Sequence, residues 1–322
     1  MNHFISVEDL SDPSGEYEEK LKSILALAAN YKQNPFADES LGKRKTLGLI
    51  FFNPSLRTRL STIKAAQNLG MQVISMNTNQ DGWALETADG VVMDQGTAEH
   101  IKEAAAVMGS YCDILGVRSF PGLKDMAEDY QNKVINGFVK YAGIPVINLE
   151  SATTHPLQSL TDLMTIESLL PNRKLKVTMT WAPHVKALPQ AVANSFAQWI
   201  NVTDHELTIA QPDGYELSDE FTAGAKIVND QDKAFKDADI VYVKNWSSFH
   251  DYGKVGDFPE WKVTAEKMNL TNDAFLMHCL PVRRNLVIAD DVLDSDKSVV
   301  IEQAGNREFA AQAVLKNILV NL

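Results

Sequence analysis

Short apolar runs alternate with longer segments of helical periodicity along most of the chain. In the first half, the apolar runs predict strands at residues 47–52, 71–76, 113–120 and 145–149. Apolar positions three and four residues apart predict helices at residues 15–32, 56–69, 97–111 and 131–141. Strands of this length that alternate with helices are typical of a parallel sheet covered on both faces.

The same pattern begins again after residue 169. Residues 306–322 predict a final helix, and further strand-like runs lie at residues 175–181, 206–210, 240–243, 275–280 and 299–301. The pattern predicts an α/β fold of two doubly wound parallel-sheet lobes with the active site in the cleft between them. Ligands of such sheets bind at the carboxyl ends of the strands, where the sequence places Ser55, Arg118, Glu150 and His278.

The segment that connects the first strand to its helix is polar. Asn53 and Pro54 end the strand, and Ser55 lies where a helix N-cap is expected. Gly70 provides the C-terminal stop of the helix. The apolar positions at helical spacing are Leu56, Leu60, Ile63, Ala66 and Leu69.

The first turn of this helix concentrates hydrogen-bond donors. A strand that leads into a helix presents unpaired backbone N–H groups and the positive end of the helix dipole. Ser55, Arg57, Thr58 and Arg59 add two hydroxyl and two guanidinium groups. The alternative is a solvated helix start, but cations at a positive helix end are unfavourable for stability alone. We therefore interpret the segment as an oxyanion site, in which the paired donors of arginine suit a phosphate group.

Composition and charge narrow the function classes. The chain of 322 residues is long enough for two domains, and its net charge of -12 argues against nucleic-acid or anionic-membrane partners. Two cysteines, Cys112 and Cys279, do not make a disulfide framework and suit a reducing cytosol. The acidic start does not resemble a signal peptide, and no apolar stretch approaches transmembrane length. We therefore expect a soluble, cytoplasmic protein.

Three motifs resemble those of the aspartate/ornithine carbamoyltransferase family. Residues 55–59 resemble its S-x-R-T-R phosphate loop, and HPLQ at 155–158 and HCLP at 278–281 follow in the family's order. FFNPSLRTRLST, together with WAPH at 181–184 and HCLPVRRN at 278–285, resembles the N-acylornithine branch most closely.

The resemblance implies transfer of the carbamoyl group from carbamoyl phosphate to the δ-amine of an N-acylornithine, in arginine biosynthesis. It implies a carbamoyl-phosphate domain at residues 1–152, joined by the C-terminal helix 306–322, and an acylornithine domain at residues 153–305. It also implies a homotrimer with shared active sites and no cofactor. We expect no metal either, because the histidines do not lie at recognised ligand spacings.

The resemblance also implies the site residues. Arg57, Thr58, His155 and Arg118 are expected to act in catalysis. The residues expected to bind carbamoyl phosphate are Ser55, Leu56, Arg57, Thr58, Trp83, Arg118, His155 and Gln158. The residues expected to bind the acceptor are Glu150, Asn194, Lys244, Cys279, Leu280, Arg283, Arg307 and Ala98.

Several of these residues have ordinary structural alternatives. Arg118 could cap its strand, and Trp83 could be a packing residue. His155 and Gln158 could be a capping residue and a helical surface residue. Beside the phosphate loop we favour the family roles, in which His155 polarises a carbonyl and Gln158 holds the carbamoyl NH2. Cys279 is not expected to be a nucleophile, because direct attack by an amine needs no covalent intermediate.

The charge at position 244 bears on the acceptor. Free-ornithine enzymes of the family carry a D-x-x-S-M-G loop with an acid for the α-amino group, whereas the matching stretch here begins with Lys244. A lysine does not pair with an ammonium group but can meet an acyl oxygen or a carboxylate. Arg283 and Arg284 add cations nearby in the family's site. Together Lys244 and Arg283 favour an N-acylated acceptor. The alternative is that both are solvated surface cations, and the surrounding motif favours the binding role.

The acyl group is predicted from Ala98. The resemblance places glutamate at this position in acetyl enzymes and proline in succinyl enzymes, and alanine matches neither. A glutamate would repel a succinyl carboxylate by about 1 kcal/mol or more in a partly desolvated site. Its absence favours N-succinyl-L-ornithine, with N-acetyl-L-ornithine as the alternative. A carbamoyltransferase for free ornithine or aspartate, and a non-catalytic oxyanion-binding module, also remain open.

Overall fold

The computed structural model describes residues 1–10 and 17–322 of the chain. They form two compact units. The first unit comprises Met1–Pro121, Ala127–Leu157 and Arg307–Leu322, and the second comprises Gly122–Met126 and Gln158–Asn306. The first two residues of the helix predicted at 15–32 lie outside the described residues.

The first unit is built on a parallel sheet. The strands along this part of the chain are β1 (Thr46–Phe51), β2 (Gln72–Asn77), β3 (Leu85–Glu86), β4 (Glu99–His100), β5 (Ile114–Arg118) and β6 (Val146–Glu150). The helices are α1 (Glu18–Gln33), α2 (Arg57–Asn68), α3 (Thr78–Asp81), α4 (Ile101–Tyr111), α5 (Met126–Asp129) and α6 (Lys133–Tyr141), preceded by a 3-10 turn at Val7–Leu10. The main sheet has the order β2-β1-β5-β6, and β3 pairs separately with β4.

The second unit is built on another parallel sheet. Its strands are β7 (Lys176–Trp181), β8 (Glu206–Ala210), β9 (Lys226–Val228), β10 (Ile240–Lys244) and β11 (Phe275–Met277), in the order β11-β10-β7-β8-β9. The helices along this part of the chain are α7 (Pro156–Leu169), α8 (Ala191–Asn201), α9 (Asp219–Thr222), α10 (Gln231–Phe235), α11 (Ala265–Met268), α12 (Asp290–Leu293) and α13 (Val300–Leu319), with a 3-10 turn at Pro259–Trp261. The predicted pair of parallel sheets is confirmed. The position of the active site in a cleft, and the assignment of one substrate to each domain, stay predictions.

Strand order brings the predicted site residues of the first unit to one edge. The strands β1, β5 and β6 are neighbours, and Phe51 is in register with Arg118, which is in register with Glu150. All three strands run parallel, so their carboxyl ends lie at the same edge of the sheet. The apolar core beneath this edge includes Ile50, Val117 and Phe138.

The helix α2 differs from its prediction on both its start and its buried face. It begins at Arg57 with Leu56 as N-cap, so Ser55 is not the N-cap. Leu56 is 66% exposed and Leu60 is 59% exposed. The buried face combines Ala65 and Ala66 with polar side chains, and Asn68 Nδ2 donates to Glu308 Oε1 at 2.8 Å and to Gln312 Oε1 at 3.1 Å. Of the predicted apolar positions, Ala66 and Leu69 are buried, and the hydrogen bonds to α13 add a polar contact that helical periodicity does not predict.

The C-terminal stop of α2 is confirmed at Gly70. Its φ is +79°, a left-handed conformation that glycine adopts without strain. A Cβ at this position would lie 2.2 Å from the carbonyl oxygen of Glu39. Both constraints require glycine here.

Two other boundaries were predicted wrongly. Residues 299–301 are not a strand, because α13 already begins at Val300, and a short β-branched run does not distinguish a helix start from a strand. The helix α4 begins at Ile101 and not at residue 97, because Glu99–His100 pairs with Leu85–Glu86. His100 caps the helix, accepting from the backbone N–H of Lys102. The short edge strand β9 was missed.

Among the described residues, no helix combines the length and the apolar character needed to cross a bilayer.

Candidate active site

The phosphate-loop segment is fixed by a residue from the far end of the chain. Thr58 is buried at the start of α2, and its Oγ1 accepts a hydrogen bond of 2.8 Å from Arg307 Nη2. Arg307 itself is only 2% exposed. Arg307 was predicted to contact the acceptor, but in the structure its guanidinium lies against Thr58. The guanidinium of Arg59 lies over the ring of Phe51 at 5.8 Å, which suits a bracing role.

Arg118 is held from two sides at the end of β5. Its Nη1 donates to the backbone carbonyl of Pro54, which lies just before the phosphate loop. Its Nε and Nη2 donate to Glu150 Oε2 at 3.1 and 3.0 Å. The guanidinium also lies 4.3 Å from the ring centre of Phe120. Because both Arg118 and Glu150 are buried, the pair fixes the position of the arginine.

The carboxylate of Glu150 also faces His155. His155 Nε2 lies 3.7 Å from Glu150 Oε2, and the imidazole is 3% exposed. One carboxylate therefore lies beside two groups that could bind an oxyanion, Arg118 and His155. Glu150 was predicted to bind the acceptor, whereas its side chain here contacts Arg118. An acceptor contact through this residue stays a prediction.

Two loops of the second unit are joined at the ends of β7 and β10. Lys244 ends β10 and is buried, with Nζ donating to the carbonyl of Asn245 at 3.0 Å. Asn245 Nδ2 donates to the carbonyl of Ala182 at 2.7 Å. Trp181 Nε1 donates to the carbonyl of Trp246 at 2.9 Å. These bonds hold the lysine in a defined, water-poor position.

His184 is a site residue that the sequence argument missed. Arg283 Nε donates to His184 Nε2 at 3.3 Å, and His184 Nδ1 lies 2.9 Å from the carbonyl of Lys186. Burial lowers the pKa of His184, and the nearby cations Lys244, Arg283 and Lys186 lower it further. The neutral ring thus presents a lone pair to Arg283. The WAPH motif contained this residue, but only the fold reveals its partner.

Arg283 and Arg284 differ in their surroundings. Arg283 is exposed beside His184. Arg284 forms ion pairs with Asp290 at 3.0 Å and with Asp294 at 2.7 Å. The structure therefore separates the two arginines, and Arg284 serves to fasten its loop to α12.

The HCLP segment follows β11 and has a constrained backbone. The backbone N–H of Leu280 donates to His278 Nδ1 at 2.8 Å, and Leu280 has a φ of +54°. A non-glycine residue in this region is uncommon and is often found at binding sites. Cys279 is partly exposed, and it lies near the buried hydroxyl of Tyr242. Burial, together with Asp162 and Cys279, raises the pKa of Tyr242.

The other predicted acceptor residues lie on different elements. Asn194 is fully buried in α8. Ala98 is exposed, and its backbone N–H donates to the carbonyl of Ala84 at 3.1 Å. Trp83 is 57% exposed, and its Nε1 donates to Glu99 Oε2 at 2.9 Å. Trp83 and Ala98 therefore share one exposed ribbon formed around β3 and β4.

Among residues 1–10 and 17–322, the structure contains no cluster of three or more histidine, cysteine, aspartate or glutamate side chains that could hold a metal ion.

Two family models cover nearly the whole chain. The carbamoyl-P binding domain of aspartate/ornithine carbamoyltransferase matches residues 2–168, and the Asp/Orn binding domain of the same family matches residues 175–318.

Named relatives match over their full length. An N-succinylornithine carbamoyltransferase of Bacteroides thetaiotaomicron is 50% identical and covers 100% of both chains. An N-acetylornithine carbamoyltransferase of Xanthomonas axonopodis pv. citri is 34% identical and covers 98% of this chain and 96% of its own.

A solved structure shares the fold. The crystal structure of an N-acetyl-L-ornithine transcarbamylase mutant, in which a glutamate is replaced by alanine, is complexed with carbamyl phosphate and N-succinyl-L-norvaline. It is 34% identical, with a TM-score of 0.92 over 99% of this chain and 100% of that chain. The chain therefore belongs to the aspartate/ornithine carbamoyltransferase family.

Proposed function

We propose that this carbamoyltransferase transfers the carbamoyl group from carbamoyl phosphate to the δ-amine of N-succinyl-L-ornithine, giving N-succinyl-L-citrulline and phosphate. The observation that carries the proposal is the identity of 50% over the full length to an enzyme named for this acceptor. The identity to enzymes named for N-acetylornithine is 34%. The reaction would serve arginine biosynthesis.

The donors of the first unit bind carbamoyl phosphate. The backbone of Ser55 and Leu56, with the side chains of Arg57 and Thr58, meets the phosphate at the helix N-terminus. Arg118 adds a second guanidinium, which Glu150 and the carbonyl of Pro54 hold in place. Fixed paired donors suit phosphate oxygens because their geometry needs no rearrangement on binding.

The chemistry is direct attack of the acceptor amine on the carbamoyl carbon. The δ-amine nitrogen forms the new C–N bond, and negative charge develops on the carbamoyl oxygen, where Arg57, Thr58 and His155 stabilise it. The bond to the phosphate oxygen then breaks, and the leaving phosphate takes up the amine proton. Gln158 orients the carbamoyl NH2. Most of the acceleration comes from holding both substrates in place and from fixed charge.

Cations of the second unit bind the acceptor. Lys244 is buried, and Arg283 is positioned by His184, so both can meet the carboxylate and acyl oxygens of the substrate. Asn194, Cys279 and Leu280 contact the ornithine part. This arrangement disfavours free ornithine, whose α-ammonium group would be repelled.

The exposed position 98 favours the succinyl group. Mutants of N-acetyl-L-ornithine transcarbamylase with a glutamate replaced by alanine or by proline are complexed with N-succinyl-L-norvaline. This chain carries alanine naturally at position 98, where the family's acetyl enzymes carry glutamate. An N-acetyl acceptor is the second candidate, because nothing at Ala98 excludes the smaller group.

The active enzyme is a cytoplasmic homotrimer in which Trp83 of one subunit completes the carbamoyl-phosphate site of the next. The exposure of the indole on its surface ribbon supports this arrangement. Mutants Arg57→Ala and Trp83→Ala test the assignment. Each alone should retain less than about 1% of native turnover, because each lacks a phosphate-binding group.

Co-expression of the two mutants should restore activity. In randomly assembled trimers, about one quarter of the sites would combine a native Arg57 with a neighbour's native Trp83. Near-normal turnover of Arg57→Ala alone would contradict carbamoyl transfer at this site. Activity that stays absent in the mixture would contradict the shared site but not the reaction.

A further inference from the structure

A buried carboxylate lies one helical turn after Gln158. Asp162 is fully buried on α7, and its Oδ1 accepts hydrogen bonds of 2.7 Å from both Gln158 Nε2 and Gln303 Nε2. Because a carboxyl oxygen of this kind accepts hydrogen bonds, the NH2 groups of both amides are directed to this one oxygen.

This arrangement fixes the orientation of the Gln158 amide. A glutamine side chain offers a carbonyl oxygen on one side and an NH2 group on the other, and either could face a ligand. With Nε2 directed to Asp162, the oxygen of Gln158 points to the opposite side of the amide. A carbamoyl group offers an NH2 donor, which an acceptor oxygen recognises.

Asp162 also supports the HCLP segment, through Gln303. Gln303 Oε1 accepts from the backbone N–H of His278 at 2.9 Å. Because Gln303 Nε2 is directed to Asp162, its oxygen is turned to that backbone group. His278 directly precedes Cys279 and Leu280, so the same carboxylate supports both Gln158 and the HCLP segment, all within the second unit.

We propose that Asp162 is a positioning residue that makes Gln158 present its oxygen, so that the enzyme selects a carbamoyl NH2 over a group that cannot donate. This inference rests on the proposed function, in which Gln158 contacts the carbamoyl group. Asp162 does not touch a substrate, and its effect is carried by Gln158 and by Gln303.

The test uses acetyl phosphate, in which a methyl group replaces the carbamoyl NH2. The quantity measured is the ratio of the inhibition constant of acetyl phosphate to the KM of carbamoyl phosphate, together with kcat. In Asp162→Asn, the amide at position 162 can donate to Gln158 Oε1, which allows the side-chain amide of Gln158 to flip and direct its NH2 group to the substrate. We expect the ratio to fall about tenfold, since one hydrogen bond to a substrate NH2 is lost.

A matched control separates positioning from stability. Thr165 is also fully buried on α7, and its Oγ1 accepts from Asn306 Nδ2 at 2.9 Å. Thr165→Val should lower the melting temperature but leave the ratio within about twofold of native. An unchanged ratio and an unchanged kcat in Asp162→Asn would overturn the proposal.

The variant Gln303→Leu tests the support of the HCLP segment by Gln303, and it also serves if Asp162→Asn does not fold. It leaves the hydrogen bond from Gln158 to Asp162 in place, so the ratio of the acetyl phosphate inhibition constant to the carbamoyl phosphate KM should stay near native. The KM for N-succinyl-L-ornithine should rise about fivefold, because the HCLP segment loses its support. A fallen ratio, or an unchanged KM, would overturn the proposal. Failure of the native enzyme to turn over carbamoyl phosphate with any acylornithine would instead remove the proposed function.

Discussion

The carboxylate of Glu150 lies between two groups that the proposed reaction needs. It accepts two hydrogen bonds from Arg118 and lies 3.7 Å from His155 Nε2. A negative charge near a phosphate site also repels the ligand, so the residue has two opposing effects. Because the pair with Arg118 is buried and doubly hydrogen-bonded, we expect orientation to outweigh repulsion.

Replacing Glu150 with Gln should separate these effects. We expect kcat to fall about tenfold, because Arg118 and His155 are held less firmly. The KM of carbamoyl phosphate should change less than about threefold, because the lost repulsion offsets the lost positioning. Steady-state kinetics with both substrates provide the measurement. The control is Glu128→Gln, which removes a surface pair with Lys133 and should change neither constant. A native kcat in Glu150→Gln would contradict the positioning role.

Protonation of His184 should make binding of the acceptor depend on pH. Its pKa is lowered by burial and by Lys244, Arg283 and Lys186, so the ring is neutral above its ordinary value of 6.5. As pH falls through the lowered pKa, the proton removes the lone pair that Arg283 uses and adds a positive charge beside it. The unfolded chain binds this proton more readily, so the contribution of His184 to stability is also lost as pH falls.

The affinity for N-succinyl-L-norvaline should therefore be constant near neutral pH and weaken as pH falls through the lowered pKa of His184, below the ordinary value of 6.5. This analogue has no δ-amine, so titration of the substrate amine does not contribute. Calorimetric titration of the native protein and of His184→Gln provides the comparison. The weakening should be smaller in His184→Gln, which carries no ring proton. Identical profiles for the two proteins would contradict the role of His184.

At the scale of elements, the proposed selectivity for the acyl group depends on the exposed ribbon around β3 and β4. Ala98 and Trp83 are both exposed on it, joined through the backbone contact from Ala98 to Ala84. A residue on a short exposed ribbon can change charge with little effect on the core. The ribbon can therefore alter the acceptor while leaving the phosphate loop intact.

The substitution Ala98→Glu should shift the preference toward N-acetyl-L-ornithine. A carboxylate there repels a succinyl carboxylate by about 1 kcal/mol or more, which corresponds to at least about a fivefold loss in kcat/KM. Ala98→Gln adds nearly the same volume without the charge and serves as the matched control. The ratio of kcat/KM for the two acceptors is the measurement. Equal losses in the two variants would mean that size and not charge decides at this position.

Local patterns predict elements better than they predict the contacts between elements. The runs at β1, β5 and β6 are short and apolar, so the sequence predicts them as buried parallel strands. The polar contacts on the buried face of α2 could not be predicted, because Asn68 finds its partners on α13 at the other end of the chain. The hydrogen bond from Arg307 to Thr58 likewise joins residues 249 positions apart and leaves no local signal.

At the scale of the whole molecule, the net charge of -12 contrasts with the two anionic substrates that we propose. Positive charge is nevertheless present locally, because arginine and lysine side chains are buried or held at the carboxyl ends of the strands. Arg118 and Arg307 lie in the first unit, and Lys244 lies in the second. Motifs predicted candidate binding residues. The fold was needed to identify His184 and Asp162 as candidates, because their proposed roles depend on neighbours that are distant in the sequence.

The most direct test of the account is a competition among acceptors. The native protein would be given carbamoyl phosphate with equal concentrations of N-succinyl-, N-acetyl- and free L-ornithine, and the citrulline products would be separated by mass. We predict that N-succinyl-L-citrulline exceeds each other product by at least about tenfold, as expected for a site that recognises an extra carboxylate. A predominance of N-acetyl-L-citrulline or of free citrulline would contradict the proposed acceptor.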